Sequence, residues 1–263
     1  MGQKKIGLAL GSGGTRGFAH IGVLKILKEE NIPINYLVGS SAGAIIAAYY
    51  AIHEEIESFE KLIFKMKKVE FATFIDIAAP RKALIRGKKM QKFLDEIFLH
   101  RNFSQVKIPL EIVATDLRKG QEVNLTKGNI AEAVLASASF PGIFPPVNLG
   151  KQLLVDGGVV NPTPVDIARK MGAKIILGVD LTMKGSNHLK DPNIFEVLTR
   201  SFDVLRTETT KLAANKVGKN LVIIKPKINT ELNFIKCFNQ RKEIIKEGER
   251  ATKNALSKIR KLM

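Results

Sequence analysis

One cysteine in 263 residues, Cys237, leaves no internal disulfide to form and fits a reducing compartment. Tryptophan is absent and tyrosine occurs three times, so there is little with which to stack nucleobases. Zinc-finger spacing and RNP-like aromatic motifs are missing too, and no nucleic-acid partner is expected. The excess of 42 Lys and Arg over 25 Asp and Glu, a net charge of +17, therefore points towards a negatively charged surface. No apolar run approaches the roughly 20 residues needed to cross a bilayer. Met1 to Lys5 leads straight into a short strand, too little for the apolar core of a signal peptide. Ile6 stands where myristoylation of Gly2 would want Ser or Thr. The expected location is cytoplasmic, with peripheral contact at the inner membrane face as its extension. No His or carboxylate cluster has ligand spacing, so neither a metal nor a cofactor is expected.

What is present is a hydrophobic share of 45%, enough to bury a full core in one large α/β domain. Apolar runs bounded by turn residues predict strands near 5–10, 36–40, 110–115, 152–156, 174–180 and 221–225. Helical spacing predicts helices over about 17–30, 43–66, 88–98, 129–138, 163–171, 193–216 and 239–261. Strands alternating with helices argue a three-layer α/β/α fold around a mostly parallel sheet. With no repeat and no Pro/Gly/Ser-rich linker, residues 1–263 read as a single domain.

Two loops stand out against that frame. Gly39-Ser40-Ser41-Ala42-Gly43 is a G-x-S-x-G sequence between the strand Tyr36-Leu37-Val38 and the apolar helix from Ala44. A serine on so abrupt a strand-to-helix turn is lifted clear of its neighbours, and glycines flank it because side chains there would collide. The helix behind it offers free N–H groups and a positive dipole end to an oxyanion. The plain alternative is an ordinary tight turn in which Gly and Ser are merely small. The strand Ile6 to Leu10 runs into Gly11-Ser12-Gly13-Gly14-Thr15-Arg16-Gly17 and then a helix. Such a loop presents bare N–H groups to an anion. Its glycines miss G-x-G-x-x-G, since Arg16 falls on the sixth position, and no Lys-Ser or Lys-Thr closes a P-loop. An oxyanion hole serving Ser41 accounts for both loops together.

Leu153-Leu154-Val155-Asp156-Gly157-Gly158 ends a third apolar strand with an approachable carboxylate. On the strand-end edge of a parallel sheet it would face the other two loops; alone, it reads as a turn or cap residue. A Ser–Asp–His triad in hydrolase order has only His188 after Asp156, giving Ser41–Asp180–His188 as the formal alternative. His20 reads as a half-buried helix residue able to line the site. His53 and His100 fall at helix ends, where a cap or dipole role is the default.

The trio GSGGTRG, GSSAG and DGG, in that order, resembles the patatin-like phospholipase family in its compact bacterial single-domain form. Ala136 to Pro146 (ASASFPGIFPP) resembles the family's block between nucleophile and aspartate. The likeness covers about Ile6 to Lys225. It implies a patatin-like fold and a Ser–Asp dyad without histidine: Ser41 as nucleophile, Asp156 as proton acceptor. It implies an oxyanion hole from Gly13, Gly14, Thr15, Arg16 and Ala42, with Gly11, Gly17, Gly39, Gly43, Gly157 and Gly158 as motif glycines. Ser12 departs from the family, many of whose members carry Gly there, and little cost is expected. The implied activity is carboxylic ester hydrolysis through an acyl-enzyme, on phospholipids or lysophospholipids. The alternatives are acyl transfer from Ser41 to an acceptor other than water, and a catalytically silent membrane-binding module.

Lys61 to Lys92 fits the αβ alternation least. It mixes Phe64, Met66, Phe71, Phe74 and Ile75 with ten Lys and Arg, among them Lys65, Arg81 and Arg86, and reads as a cap segment suited to acyl chains beside anionic groups. The helix 239–261 carries a stripe of Ile244, Ile245, Ala251, Ala255, Ile259 and Leu262 among basic residues, which suggests a lipid surface as partner. Solvated basic faces and a Lys-rich composition explain both equally well. Acyl-chain preference and oligomeric state are not encoded in any of these patterns.

Overall fold

A computed structural model describes residues 4–68, 87–182, 194–228 and 238–263. The chain runs β1 (Ile6–Leu10), α1 (Ala19–Glu29), β2 (Tyr36–Ser40), α2 (Ala42–His53), α3 (Glu57–Lys65), α4 (Lys88–Ile97), β3 (Leu110–Asp116), β4 (Gln121–Leu125) and α5 (Ile130–Ala138). It continues with β5 (Val147–Leu149), β6 (Gln152–Asp156), α6 (Val165–Lys170), β7 (Ile175–Val179), α7 (Ile194–Val217), β8 (Leu221–Ile224) and α8 (Arg241–Leu262).

The eight strands form one sheet in the order β5-β6-β3-β2-β1-β7-β8, with β4 also on β3. The period of two in the strands sends alternate side chains to two cores. Ile6, Leu8, Leu10, Ile175, Leu177 and Val179 join α1, α2 and α8 in one core. Ala9, Val38, Val113 and Ile176 meet Val165, Ile167 and Ala168 of α6 and Ala213 and Val217 of α7 in the other. The expected three layers follow from that alternation.

Parallel pairing holds from β3 through β2, β1 and β7 to β8. The other strands are antiparallel, and one of them corrects the sequence reading. Ile112 and Val113 of β3 pair with β2 register partners Gly39 and Ser40 and also with β4. Ala114, Thr115 and Asp116 keep β4 on that side but have Asp156, Val155 and Leu154 of β6 on the other. A strand has two edges, so β2 and β6 lie on the same edge of β3, one after the other. Since β6 is antiparallel, the two strands run head-on, and their C-terminal ends abut. Asp156 reaches Ser41 by this collision of strand ends, not by sharing the strand-end edge of a parallel sheet.

Three further corrections concern helices. The expected helix 43–66 is two, because Glu54 takes a left-handed conformation (φ 57°, ψ 20°) and caps α2. The expected start at 17 is a 3-10 turn, Gly14–Phe18, before α1. The apolar stripe of α8 does not face outward: Ile244, Ile245, Ala255 and Ile259 are buried, and α8 crosses α1 closely, with Gly22 against the backbone of Ile245 and Glu249 and Gly248 against that of Ala19. That stripe is spent on the core and leaves only the basic residues of α8 for a lipid surface. No helix among the described residues is long and apolar enough to cross a membrane.

Candidate active site

The elbow after β2 carries backbone strain. Ser41 sits at φ 56°, ψ −121°, a region L-residues rarely occupy and one that costs on the order of 1–3 kcal/mol. What holds it there is crowding on every side. A Cβ on Gly43 would lie 2.0 Å from the Leu10 carbonyl oxygen, so β1 and α2 can meet only over a glycine. Ser137, from α5, then locks the turn: its hydroxyl accepts the Ser41 N–H at 2.9 Å and donates to the Val113 carbonyl at 2.6 Å.

Asp156 is fixed just as fully. Its N–H donates to the Ser139 carbonyl, and its own carbonyl accepts the Thr115 hydroxyl. Carboxylate Oδ1 accepts the Gly158 N–H at 2.7 Å, and Oδ2 accepts the Ser41 hydroxyl at 2.6 Å. Burial pushes the Asp156 carboxyl above the usual carboxylate range, against the opposing pull of the Arg206 guanidinium and these two hydrogen bonds. A carboxylate tied to a hydroxyl and pushed towards its protonated form is a ready proton acceptor.

The glycine-rich loop closes the third side. Gly17 packs against Ala42, and Gly158 against Ser12, so the loop, the elbow and the Asp156 turn touch. Gly11 and Ser12 donate their N–H groups to Val179 and Pro162 carbonyls. Ser12 has no left-handed φ; Gly14 does, at 55°, so serine at position 12 carries no backbone penalty. Gly14, Thr15 and Ala42 line the cavity in front of Ser41, and among the described residues no acceptor takes their N–H groups or that of Gly13. Arg16 is different. Its N–H and Nε donate to the Gly13 carbonyl, and Nη2 reaches both Asp203 oxygens at 3.0 and 3.4 Å. Those donors hold the loop, while Nη1 is buried without a partner.

The cavity, about 170 Å³, is almost wholly apolar. Ile45 and Ile46 of α2, Phe59 and Ile63 of α3, Met66, Met90 and Phe93 of α4, and Phe140, Ile143 and Phe144 form its walls. The last three come from the ASASFPGIFPP block. Both flanks of the expected cap segment thus contribute walls, while 69–86 lies outside the described residues. The polar side chains that line the cavity are those of Thr15, Ser41, Asp156, Thr199 and Arg206. Asp203 and Arg206 of α7 were not singled out from sequence. Each is 4% exposed, yet their spacing in a charged helix reads as a solvated face, and the only signal was an arginine, Arg16, in need of a buried partner.

The histidines lie elsewhere. His20 is fully buried, not half-buried, and does not line the cavity; its Nε2 contacts the Gly11 carbonyl at 2.8 Å, which makes Nε2 the protonated nitrogen. Burial lowers its pKa to about 4. His53 meets the Ile97 carbonyl and stacks on Tyr49. Asp180 accepts from Lys225 and the Thr182 N–H, and His188 lies outside the described residues. The His20 shift carries a pH effect of definite sign. The folded pKa is depressed, so the stabilisation is full above the unfolded value of 6.5 and is lost as pH falls towards 4. Lowering pH from 7 to 5 is expected to remove about 2 kcal/mol of stability through this group. Denaturant titrations of wild type and His20→Gln check it; parallel pH dependences in the two would contradict the assignment.

The sequence profile described as Patatin-like phospholipase matches residues 8–169. An uncharacterized NTE family protein of Mycobacterium tuberculosis is 30% identical over 192 residues, 72% of this chain and 53% of that protein. Patatin-like phospholipase domain-containing protein 7 of Rattus norvegicus is 29% identical over 252 residues, 93% of this chain and 18% of that protein. The chain therefore spans about half the length of the mycobacterial relative and under a fifth of the rat one. Among solved structures, VipD from Legionella pneumophila matches with a TM-score of 0.67 at 14% identity, over 97% of this chain and 67% of that one, a likeness of fold.

Proposed function

The chain belongs to the patatin-like phospholipase family, and from that premise we propose that it is a serine lipid acyl hydrolase cleaving the carboxylic esters of phospholipids or lysophospholipids. The observation that carries the reading is the 2.6 Å hydrogen bond from the Ser41 hydroxyl to Asp156 at the floor of an apolar cavity. Ser41 attacks the ester carbonyl while its proton passes to Asp156 Oδ2. The tetrahedral oxyanion is received by the N–H groups of Gly13, Gly14, Thr15 and Ala42; removing one such donor typically costs about 10²–10³ in turnover. The alcohol leaves with the proton from Asp156. A water then gives its proton to Asp156 and attacks the acyl-enzyme; as the acid leaves, Asp156 returns the proton to the Ser41 oxygen. The aspartate does unaided what histidine does in a triad, so His188→Ala is expected to leave turnover within about twofold of wild type.

Substrate delivery from an anionic lipid surface belongs to the same proposal. It is supported by the net charge of +17 and by α7, which leaves Ile194, Leu198, Leu205 and Leu212 more than half exposed. The experiment is hydrolysis of p-nitrophenyl esters of graded chain length, and of lysophospholipid in vesicles of varied anionic content. We expect kcat/KM to rise up to about fourfold per added methylene, as burial of a CH₂ contributes about 0.8 kcal/mol, until the cavity is filled. With vesicles, activity should rise with anionic lipid and fall as salt screens the surface. A folded protein that cleaves none of these substrates would overturn the hydrolase reading.

A further inference from the structure

Arg206 enters the cavity floor from α7 with its side chain 5% exposed. Its nearest carboxylate oxygens, Oδ1 of Asp156 and of Asp203, are both 3.9 Å away, too far for a hydrogen bond. Nε is buried without a partner, and no described residue accepts a hydrogen bond from the guanidinium. What fixes the group is stacking: it lies over the Phe140 ring, 5.3 Å from its centroid, and Phe140 is held edge-on by Phe202. A buried guanidinium with unused donors is costly, since such groups are ordinarily matched by oxygen acceptors.

The surrounding charges show what sign of ligand would match it. Asp203 is already taken by Arg16 at 3.0 Å. Asp156 has both oxygens engaged, by Gly158 and Ser41. Once Asp156 accepts the Ser41 proton it becomes neutral, and Arg206 faces the cavity with no free counter-charge. An oxyanion on the substrate is stabilised most at that moment, so its binding lowers the barrier as well as aiding capture.

We propose that Arg206 is the receptor for a phosphate group borne by the substrate lipid, separated from the scissile ester by no more than a glycerol unit. This rests on the hydrolase reading above and adds to it a phosphate subsite beside the dyad. The fork of the guanidinium suits a phosphate that can take two N–H donors at once. The phosphate also offsets the positive field that Arg206 exerts on Asp156, and so strengthens the base.

The test compares two substrates that differ only in phosphate, oleoyl lysophosphatidic acid and 1-monooleoylglycerol, each in the same neutral detergent micelle. The readout is the ratio of their kcat/KM values. Wild type should favour the phosphate-bearing lipid. Arg206→Gln should lower the ratio by about 10- to 100-fold, the range for loss of a charge-assisted hydrogen bond. Arg206→Lys, which keeps the charge but loses the fork, should fall between, and its circular dichroism guards against misfolding. A ratio unchanged in both variants overturns the proposal and assigns Arg206 to Asp156 alone. Inorganic phosphate added with monooleoylglycerol separates the source: stimulation of wild type would make the site a receptor for free anion and overturn the lipid-borne form. Calorimetric binding of the same two lipids to Ser41→Ala, with and without Arg206→Gln, reads the subsite without turnover. An inactive wild type that still discriminates in binding sinks the hydrolase reading and leaves the subsite standing.

Discussion

Asp156→Asn is expected to lose at least about 10³-fold in ester turnover while folding as well as wild type. Asparagine preserves the shape: its Oδ1 can still accept the Gly158 N–H, while its amide NH2 stands where Oδ2 was and donates to the Ser41 hydroxyl instead of accepting from it. What it cannot do is take the proton. General base catalysis of this kind contributes about 10²–10⁴, and here no second base touches Ser41 among the described residues. Ser41→Ala should be at least as severe and should abolish the acylation burst. The stability side has its own sign. Burial raises the Asp156 carboxyl above its ordinary value of 3.8, so the folded state binds the proton more tightly than the unfolded chain. The stabilisation is therefore full below that value and is lost as pH rises through the raised folded pKa. Asparagine mimics the protonated form. At pH 7 the Asp156→Asn protein should melt at or above wild type, and the gap should close on acidification. For the same reason the acid limb of kcat/KM in wild type should inflect above about 3.9. Retention of a tenth or more of wild-type turnover in Asp156→Asn would sink the dyad.

Asp203→Ala should be the most damaging substitution for stability. Asp203 is the carboxylate between Arg16, at 3.0 Å, and Arg206, at 3.9 Å, and both side chains of the closer pair are nearly sealed from solvent. Without it Arg16 loses its buried counter-charge, and Arg206 keeps only Asp156, at 3.9 Å. Removing one partner of a buried pair typically costs about 3–5 kcal/mol, whereas replacing the pair together is close to neutral. In a chain of this size that corresponds to a fall of about 10 °C in Tm. The double variant Asp203→Ala, Arg16→Met should recover most of it. Calorimetric melts of the three proteins suffice, and a single variant within about 1 kcal/mol of wild type would show that the pair carries no net weight.

The three-layer fold class and the loops that carry the candidate site were legible in the sequence; the direction of individual strands was not. The strand–turn–helix around Ser41 and the loop before α1 announce themselves because Gly and Ser interrupt strongly apolar runs. The polarity of β6 does not, since Leu153-Leu154-Val155 reads the same whichever way the strand runs. β4 and β5 escaped notice because they lie at the margin: Gln121, Glu122 and Asn124 carry no buried stripe, and β5 has three residues. The break at Glu54 lacks a Gly or Pro to mark it. Amphipathicity in α8 was visible, but a stripe does not say what covers it, and α1 does. Asp203 and Arg206 were hidden for the opposite reason, since charges three apart on a helix usually point to water.

The head-on meeting of β2 and β6 on one edge of β3 has a consequence for how the chain acquires reactivity. Ser41 and Asp156 are separated by 115 positions, and neither can find the other through local structure. β3 must first collect β2 and then receive β6, a closure that is slow because distant segments must be ordered before any contact rewards it. A serine-directed fluorophosphonate added during refolding would therefore label the protein only after this last docking. Labelling would follow the appearance of helical signal with a measurable lag, and so serve as a clock for the final step of assembly.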